Sequence, residues 1–517
     1  MDILAKAIYG YDPAALFLHG REVECESAER RRLRSSVIEE HMSRRVVIIG
    51  AGIGGLTSAI RLAQRGCKVT VVEARSSVGG LAAGFDLEGF RFDAGPYVLL
   101  DRPGLEWAFQ QLGIELEHRL RLQRIPDVYQ VDDGSTQPVT IYDSFEQTAA
   151  GFDARCPGSG QLYRRFIDRT DAIYQRLQPL QWKSHPGLLD VVRHGAWRDV
   201  PFVLRSLDSV LKSSRLPEFV LQALGIWTHV AGQLAGAAPA PLALVTSVIH
   251  RVGACYPSGG IGVIPEVLFK AATLAGVEFR CGTKVRRICC KHNSVTGVEI
   301  DTETLPADAV VSNAGLATYS TLLDDQGQAA LSHRTRRYFA RLPLQSPGVC
   351  AYLAVKGKPK PPYLRFRLRN ELDGCRLLIT PGVIDASLEH NGWYPARLIA
   401  PMAHHRAESG GEAGQRAILH RVVEQEHWWR DLFDDVRVLQ TRIPGEWGSQ
   451  FHLHQNSMNP VMTSRFMWTG RVAHRSPWIR NLYVAGSATH PGQWVSFCAV
   501  SGILAADRLL ADVGVHS

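Results

Sequence analysis

Cysteine is scarce, with ten in 517 residues. That is too few for a disulfide scaffold, and no CxxC pair, HExxH or zinc-finger spacing occurs. No metal site is expected, and reduced thiols in a cytoplasmic protein are the simplest reading. Long apolar runs are missing as well. The most apolar stretch, Leu234 to Ile249, is interrupted by Pro239 and Pro241. It falls short of the ~20 residues that a membrane-spanning helix needs. The first twenty residues carry Asp2, Lys6 and Asp12 and hold no secretory apolar core. The expectation is a protein that is soluble or peripheral to a membrane.

Acidic charge is in deficit. Lys and Arg number 58 against 50 Asp and Glu, a net charge of +8. A basic balance suits nucleic acid or anionic membranes. No nucleic-acid motif accompanies it, so nucleic-acid binding is not expected. Charged residues make up 21% and hydrophobic ones 45%, which excludes disordered, collagenous and coiled-coil classes. The length suits two to four domains, or two large interleaved ones.

What is present begins at Arg45. RVVIIG is a β-branched run ending in glycine, and Ile53 to Gln64 has helical apolar spacing closed by Gly66. KVTVVE, Lys68 to Glu73, is a second buried-type strand. The residues before it, 1–43, read as an N-terminal extension, with Met42 a natural start for the fold. The βαβ turn holds Gly50, Gly52, Gly54 and Gly55. In a GxGxxG turn, Gly50 makes the tight bend, Gly52 lets backbone approach a pyrophosphate, and Gly55 lets helix meet strand. The helix N-terminus offers N–H groups and partial positive charge to phosphates. Glu73, 23 positions after the first glycine, suits a ribose hydroxyl pair and disfavours a 2′-phosphate.

Further on stand Glu73-Ala74, the pair Gly79-Gly80, and Asp93-Ala94-Gly95-Pro96. With these the sequence resembles the FAD-dependent phytoene desaturase family, within the wider flavin amine-oxidase-like group. The resemblance continues in Tyr256-Pro257-Ser258-Gly259-Gly260, in DAVVSNA from Asp308 to Ala314, and in NLYVAGSATHP from Asn481 to Pro491. It implies FAD as cofactor, contacted by Gly50, Gly52, Gly54, Gly55, Glu73, Ala74, Gly79, Gly80, Leu81, Gly95, Val285, Gly486, Trp494 and Val495. Val285 would pair its backbone with the adenine. The last helix, about Val495 to Leu510, would aim its positive end at the flavin pyrimidine. Ile384 to Ser387 and Pro401 resemble second-domain strands. The implied fold is α/β, with a discontinuous Rossmann-like FAD-binding domain at 44–100, 256–318 and 478–512. An interleaved mixed α+β substrate domain takes 101–255 and 319–477.

Two departures stand out. The family has Arg after the glycine pair, where this chain has Leu81. It has small residues after HPG, where this chain has Trp494 and Phe497, which would reshape the substrate pocket unless both point into the core.

The implied activity is an FAD-dependent two-electron oxidation, a desaturation, of a hydrophobic small molecule such as a polyene or isoprenoid. No general base is identified. No second dinucleotide fingerprint exists, so electrons are expected to leave to oxygen or a quinone. The alternatives are a flavin amine oxidase, a redox-neutral flavin isomerase, and a lipid-binding chaperone like the Rab GDP-dissociation inhibitors.

Other residues invite chemistry. His250 is a candidate pocket residue or a satisfied structural histidine. His452 and His454 lack a third ligand and read as surface or pocket groups. Trp428-Trp429 read as the packing face of a helix. Leu364 to Arg369 alternates apolar and basic, which predicts a strand with a cationic face, either solvated or in peripheral contact with anionic lipid.

Overall fold

The computed structural model describes residues 44–134, 137–184, 186–230, 233, 235–368, 374–469 and 471–514. The extension 1–43, with Met42, and Arg369 lie outside them.

The first strand, Arg45–Ile49, is buried from Val46 onward and sits at the centre of a five-stranded parallel sheet. Continuous β-branched runs suit such a position because both faces are covered. Its neighbours are Lys68–Val72, then Glu278–Arg280, on one side, and Ala309–Ser312, then Leu482–Val484, on the other. Three segments far apart in sequence therefore build one sheet. Helix Ile53–Ala63 covers it and crosses the final helix, Val495–Asp512, at close range. Small residues allow the approach. Thr57 Oγ1 donates to the Ala499 carbonyl at 3.0 Å and Ser58 Oγ to that of Gly502 at 2.8 Å.

A three-stranded antiparallel sheet, Val285–Lys291, Ser294–Ile300 and Thr304–Pro306, extends this half. The other half rests on a seven-stranded mixed sheet. Its order is Val436–Arg442, Val349–Lys356, Trp393–Ala400, Arg376–Ile379, Leu364–Arg367, Asp127–Asp132 and Val139–Tyr142. Helices Ser159–Leu177, Glu218–Val230 and Val245–Val252 belong to the same half.

Three sequence expectations are corrected here. Ile384 to Ser387 is not a strand. Pro381–Val383 and Ala386–Leu388 are 3₁₀ turns, and the Asp385 carboxylate accepts the Ser387 N–H at 3.1 Å, a local bond that favours a turn. The strand beside Pro401 is Trp393–Ala400. Trp428 and Trp429 are not on an α-helix. They lie in the turn before a 3₁₀ helix, Arg430–Leu432, and the buried Trp429 indole donates to the Val422 carbonyl at 3.2 Å. Strand Leu364–Arg367 does bury Leu364 and Phe366 as the alternation demands, but its basic face is not free. Arg365 turns back to the carbonyls of Lys360, Pro361 and Pro362, and burial lowers its pKa to about 10. Arg367 pairs with Asp132 at 3.4 Å.

Candidate active site

The turn after the first strand is built to bring backbone close to a ligand. Gly50 has φ +91°, Gly79 +106° and Gly80 +54°, a region that glycine enters without strain. Glu73 ties the turn together: its carboxylate accepts the Ala51 N–H at 2.7 Å and the Arg75 N–H at 2.9 Å. The Gly79 N–H donates to the Ala51 carbonyl at 2.8 Å, so the second glycine pair docks onto the first turn.

A Cβ would collide at most of these positions. On Gly55 it would lie 2.0 Å from the Gly50 carbonyl oxygen, and on Gly95 2.6 Å from that of Leu81. On Gly52, Gly54 and Gly486 it would strike the side-chain amide of Asn313 at 2.7, 2.7 and 2.4 Å. Asn313 is thus a wedge for which three glycines make room. Sequence reading identified its segment, DAVVSNA, but not this residue. Its one signal is its place directly after the strand that pairs with Arg45–Ile49.

Leu81 lines the cavity wall and brings no charge. A different cation, Arg75, lines the same cavity, with its guanidinium 4.3 Å over the Phe451 ring.

One cavity of about 1300 Å³ joins these elements. Gly50, Gly52, Glu73, Ala74, Val285 and Gly486 line one part of it. Leu99, Leu177, Val203, Leu242, Val248 and Leu377 line another. Single-ligand pockets run to about 300–1,000 Å³, so this one has room for a cofactor and a further molecule.

The final helix begins at the wall of this cavity. Trp494 is its N-cap residue, and Val495, Ser496, Phe497 and Cys498 also line the wall. The first N–H groups of a helix have no partner within it and carry partial positive charge. Ser496 Oγ donates to the Asp101 carboxylate at 2.9 Å, and burial pushes that carboxyl up to about 6. Nearby, His490 Nε2 stands 3.1 Å from the Gln181 carbonyl. Burial beside Arg471 and His474 holds its pKa well below the usual histidine range, so the ring is neutral at pH 7.

Trp494 and Phe497 stack with ring centroids 4.8 Å apart and 12° between planes. Both rings are half-buried and both line the cavity, while Trp494 also touches the main core. Trp494→Gly is therefore expected to change the rank order of substrates by size. Because the ring is only half-buried, its stability cost should stay under the 3–5 kcal/mol typical of a buried Trp truncation. Substrate-dependent flavin bleaching together with a thermal melt checks this. A large fall in Tm with an unchanged rank order would contradict it.

His250 is corrected as a pocket candidate. It lies away from the cavity lining, with Nε2 2.6 Å from the Tyr163 hydroxyl and Nδ1 3.1 Å from the Asp143 carbonyl. Its helix turns the ring towards Tyr163 and Phe145 instead. His452 and His454 both line the cavity, His454 with Nε2 3.4 Å from Ser320 Oγ. Among the described residues no group of three His, Cys, Asp or Glu side chains could hold a metal ion.

The flavin-containing amine oxidoreductase family matches residues 53–510. The chain belongs to that family. A second match, to pyridine nucleotide-disulphide oxidoreductases, spans residues 19–86. Among curated relatives, the zeta-carotene-forming phytoene desaturase of Myxococcus xanthus is 27% identical, over 90% of this chain and 94% of its own. The lycopene-forming phytoene desaturase of Pseudescherichia vulneris is 24% identical, over 91% and 100%. An oxidoreductase from Methanosarcina mazei shares the fold with a TM-score of 0.62 at 18% identity, over 89% and 98% of the two chains.

This member of the flavin-containing oxidoreductases is an enzyme whose cofactor is FAD. Its residues fit the group: a glycine cradle that side chains would fill, a helix N-terminus beside it, and a buried carboxylate at the end of the second strand. No helix among the described residues is long and apolar enough to cross a membrane.

Proposed function

We propose that this flavoenzyme introduces a double bond into a long hydrophobic polyene or isoprenoid. The observation that carries the reading is the single cavity in which the glycine cradle opens into an apolar chamber. A narrow polar site, or a cradle closed off from the chamber, would not suit a long hydrocarbon chain. The two phytoene desaturases similar to this chain over nine-tenths of its length support the same reading.

FAD supplies a two-electron acceptor for a hydride. The chain's part is to bind, orient and keep dry. Gly50, Gly52, Gly54 and Gly55 with the helix behind them hold the pyrophosphate, and Gly79 and Gly80 close over it. Glu73, beside Ala74, accepts from the ribose hydroxyls, and the Val285 backbone meets the adenine. Leu81 would stand near the phosphates, where it brings no charge, and Gly95 and Gly486 would flank the isoalloxazine. The N–H groups beyond Trp494 and Val495 lower the energy of negative charge that reduction places near them. Apolar walls exclude water and hold the substrate C–H bond in line. In this reading, segments 44–100, 256–318 and 478–512 form the FAD half, and 101–255 with 319–477 the substrate half.

Electrons leave to oxygen or a quinone. We further propose that the enzyme works in the cytoplasm, in peripheral contact with a membrane. Leu188, Leu189, Val192, Trp197 and Leu204 are exposed on one run of short helices, with exposed Arg193 and Arg198 among them. Ala196 and Val203, on the inner side of that run, line the cavity. An apolar patch with cations suits an anionic bilayer surface and a short path for an insoluble substrate.

The test is anaerobic bleaching of the bound flavin by a panel of polyenes and amines. Bleaching by polyenes is expected, and bleaching by amines alone would overturn the reading. Neither NADH nor NADPH should reduce the flavin directly, because the chain has no second dinucleotide fingerprint. Stopped-flow mixing without substrate checks this, and rapid bleaching by either would contradict it.

A further inference from the structure

A buried carboxylate is fastened to the positive end of the final helix. Asp101 is a cavity-lining residue and only 2% exposed. Both of its carboxylate oxygens are held. Oδ2 accepts from Ser496 Oγ at 2.9 Å, in the first turn of helix Val495–Asp512. Oδ1 accepts the Gly104 N–H at 3.3 Å, which makes Asp101 the N-cap of helix Arg102–Gln111. A Cβ on Gly104 would lie 2.0 Å from Oδ2 and 3.3 Å from the Ser496 Cβ, so this glycine makes room for the contact.

A cap does not call for a buried charge. Asn and Ser cap a helix as well as Asp does, and a carboxylate taken out of water is costly unless a cation pairs with it. Among the described residues no cation pairs with Asp101. Arg102, next in the chain, is bound to Glu106 and Glu117, at 2.6 Å each. Glu106 adds a like charge from the same helix. Tyr174, on helix Ser159–Leu177, also feels the Asp101 charge; its hydroxyl accepts from Gln178 at 2.9 Å, and burial keeps it protonated. Arg251 and Asp171, which act on Tyr174, are paired with each other. Burial pushes the Asp101 carboxyl up, the bonds from Ser496 and Gly104 pull it back and Glu106 adds to the rise, to about 6.

Opposing charges therefore meet at one helix end. The free N–H groups of the first turn favour negative charge arriving there. Ionised Asp101, one hydrogen bond away, opposes it, and little water intervenes to screen either effect.

We propose that Asp101 sets the reduction potential of the bound FAD and takes up a proton when the cofactor is reduced. The inference rests on the FAD placement given above, with the final helix at the flavin pyrimidine. A hydride from substrate brings two electrons and one proton. A second proton passes from solvent to the Asp101 carboxylate, so one negative charge is removed as the other appears. The coupling is reciprocal: reduction raises the Asp101 pKa by the same free energy with which the ionised carboxylate disfavours reduction. A rise of one pH unit corresponds to tenfold in the reduction equilibrium.

The experiment is a dye-coupled titration of the reduction potential of FAD-loaded enzyme between pH 5 and pH 9. Above about pH 6 the wild type should enter a window in which two protons are taken up per two electrons, with one proton on either side of it. Asp101→Asn keeps the cap and the shape without the charge. It should lose the window, nearly match the wild type at pH 5 and be easier to reduce at pH 8 by at least ~10-fold in equilibrium constant, which is about 30 mV for a two-electron couple. Ser496→Ala removes a donor that favours the ionised form, so the lower edge of the window should move to higher pH. A merely structural cap would change Tm in these variants and leave the potential alone. Equal potentials for wild type and Asp101→Asn at pH 8, or a window that persists in Asp101→Asn, would overturn the inference. The spectrum of the reduced enzyme separates it from the placement beneath it. Anionic reduced flavin across the range supports the helix end at the pyrimidine. Titration to the neutral form as in free flavin, with no effect of Asp101→Asn, would overturn the placement and the inference together.

Discussion

Replacing Glu73 with Ala should raise the dissociation constant for FAD by about tenfold or more. The carboxylate stands at the end of the second strand, buried but on the cavity wall. Charge-assisted hydrogen bonds from ribose hydroxyls to such a group are worth roughly 1.5–3 kcal/mol, and about 1.4 kcal/mol is tenfold in affinity. Here the carboxylate has a second duty. It accepts the Ala51 and Arg75 N–H groups, so its removal also frees the glycine turn and the approach to Gly79. Glu73→Gln keeps the shape and one good acceptor and should lose less than Glu73→Ala. Fluorescence titration of apoprotein with FAD measures both. Wild-type affinity in Glu73→Ala would remove this residue from the cofactor site.

Gly55→Ala should be more damaging still, at about 3 kcal/mol or more, with loss of FAD. Overpacking by one methyl group typically costs about 1–3 kcal/mol when neighbours can yield. At Gly55 the obstacle is backbone: the new Cβ would lie 2.0 Å from the Gly50 carbonyl oxygen. The helix would have to lift off the strand, and its far face is pinned by the final helix, where a Cβ on Gly502 would meet the Gly54 carbonyl at 2.2 Å. The control is Gly151→Ala, in helix Phe145–Arg155, where a Cβ meets nothing within 4 Å. That change should stabilise by about 0.5–1 kcal/mol through lower backbone entropy of the unfolded chain. Thermal melts and flavin content of the two variants, side by side, distinguish backbone contact from general glycine flexibility. A Gly55→Ala protein that melts like wild type and stays yellow would contradict the argument.

The first βαβ unit was legible because its signals are local. A β-branched run, a glycine turn, a helical apolar spacing and an acidic strand end lie within thirty residues, and backbone sterics alone order them. The strand Leu482–Val484 and the last helix were legible on the same grounds. Local pattern misled where side chains found partners outside the element. Arg365 and Arg367 alternate with apolar residues as a solvated face would, yet one bonds backbone carbonyls and the other Asp132. Trp428-Trp429 beside Leu432 and Phe433 have helical spacing, but the helix that starts at His404 ends in a π-helical turn, Arg421–Gln425, before reaching them.

The sequence by itself determined the dinucleotide cradle, the identity of the cofactor and the class of chemistry. The cradle depends on residues within a few turns of one another, while the cofactor and the chemistry follow from a family resemblance carried by motifs spread along the chain. Tertiary structure alone decided the rest. Asn313 becomes a wedge only when three chain segments pack around it. His250 leaves the site because Tyr163 and the Asp143 carbonyl take both its nitrogens. Trp494 acquires a cavity-facing side only once helices and sheet enclose a common space. Whether a polar atom has a partner depends on residues brought together by folding across hundreds of positions, and no local spacing encodes that.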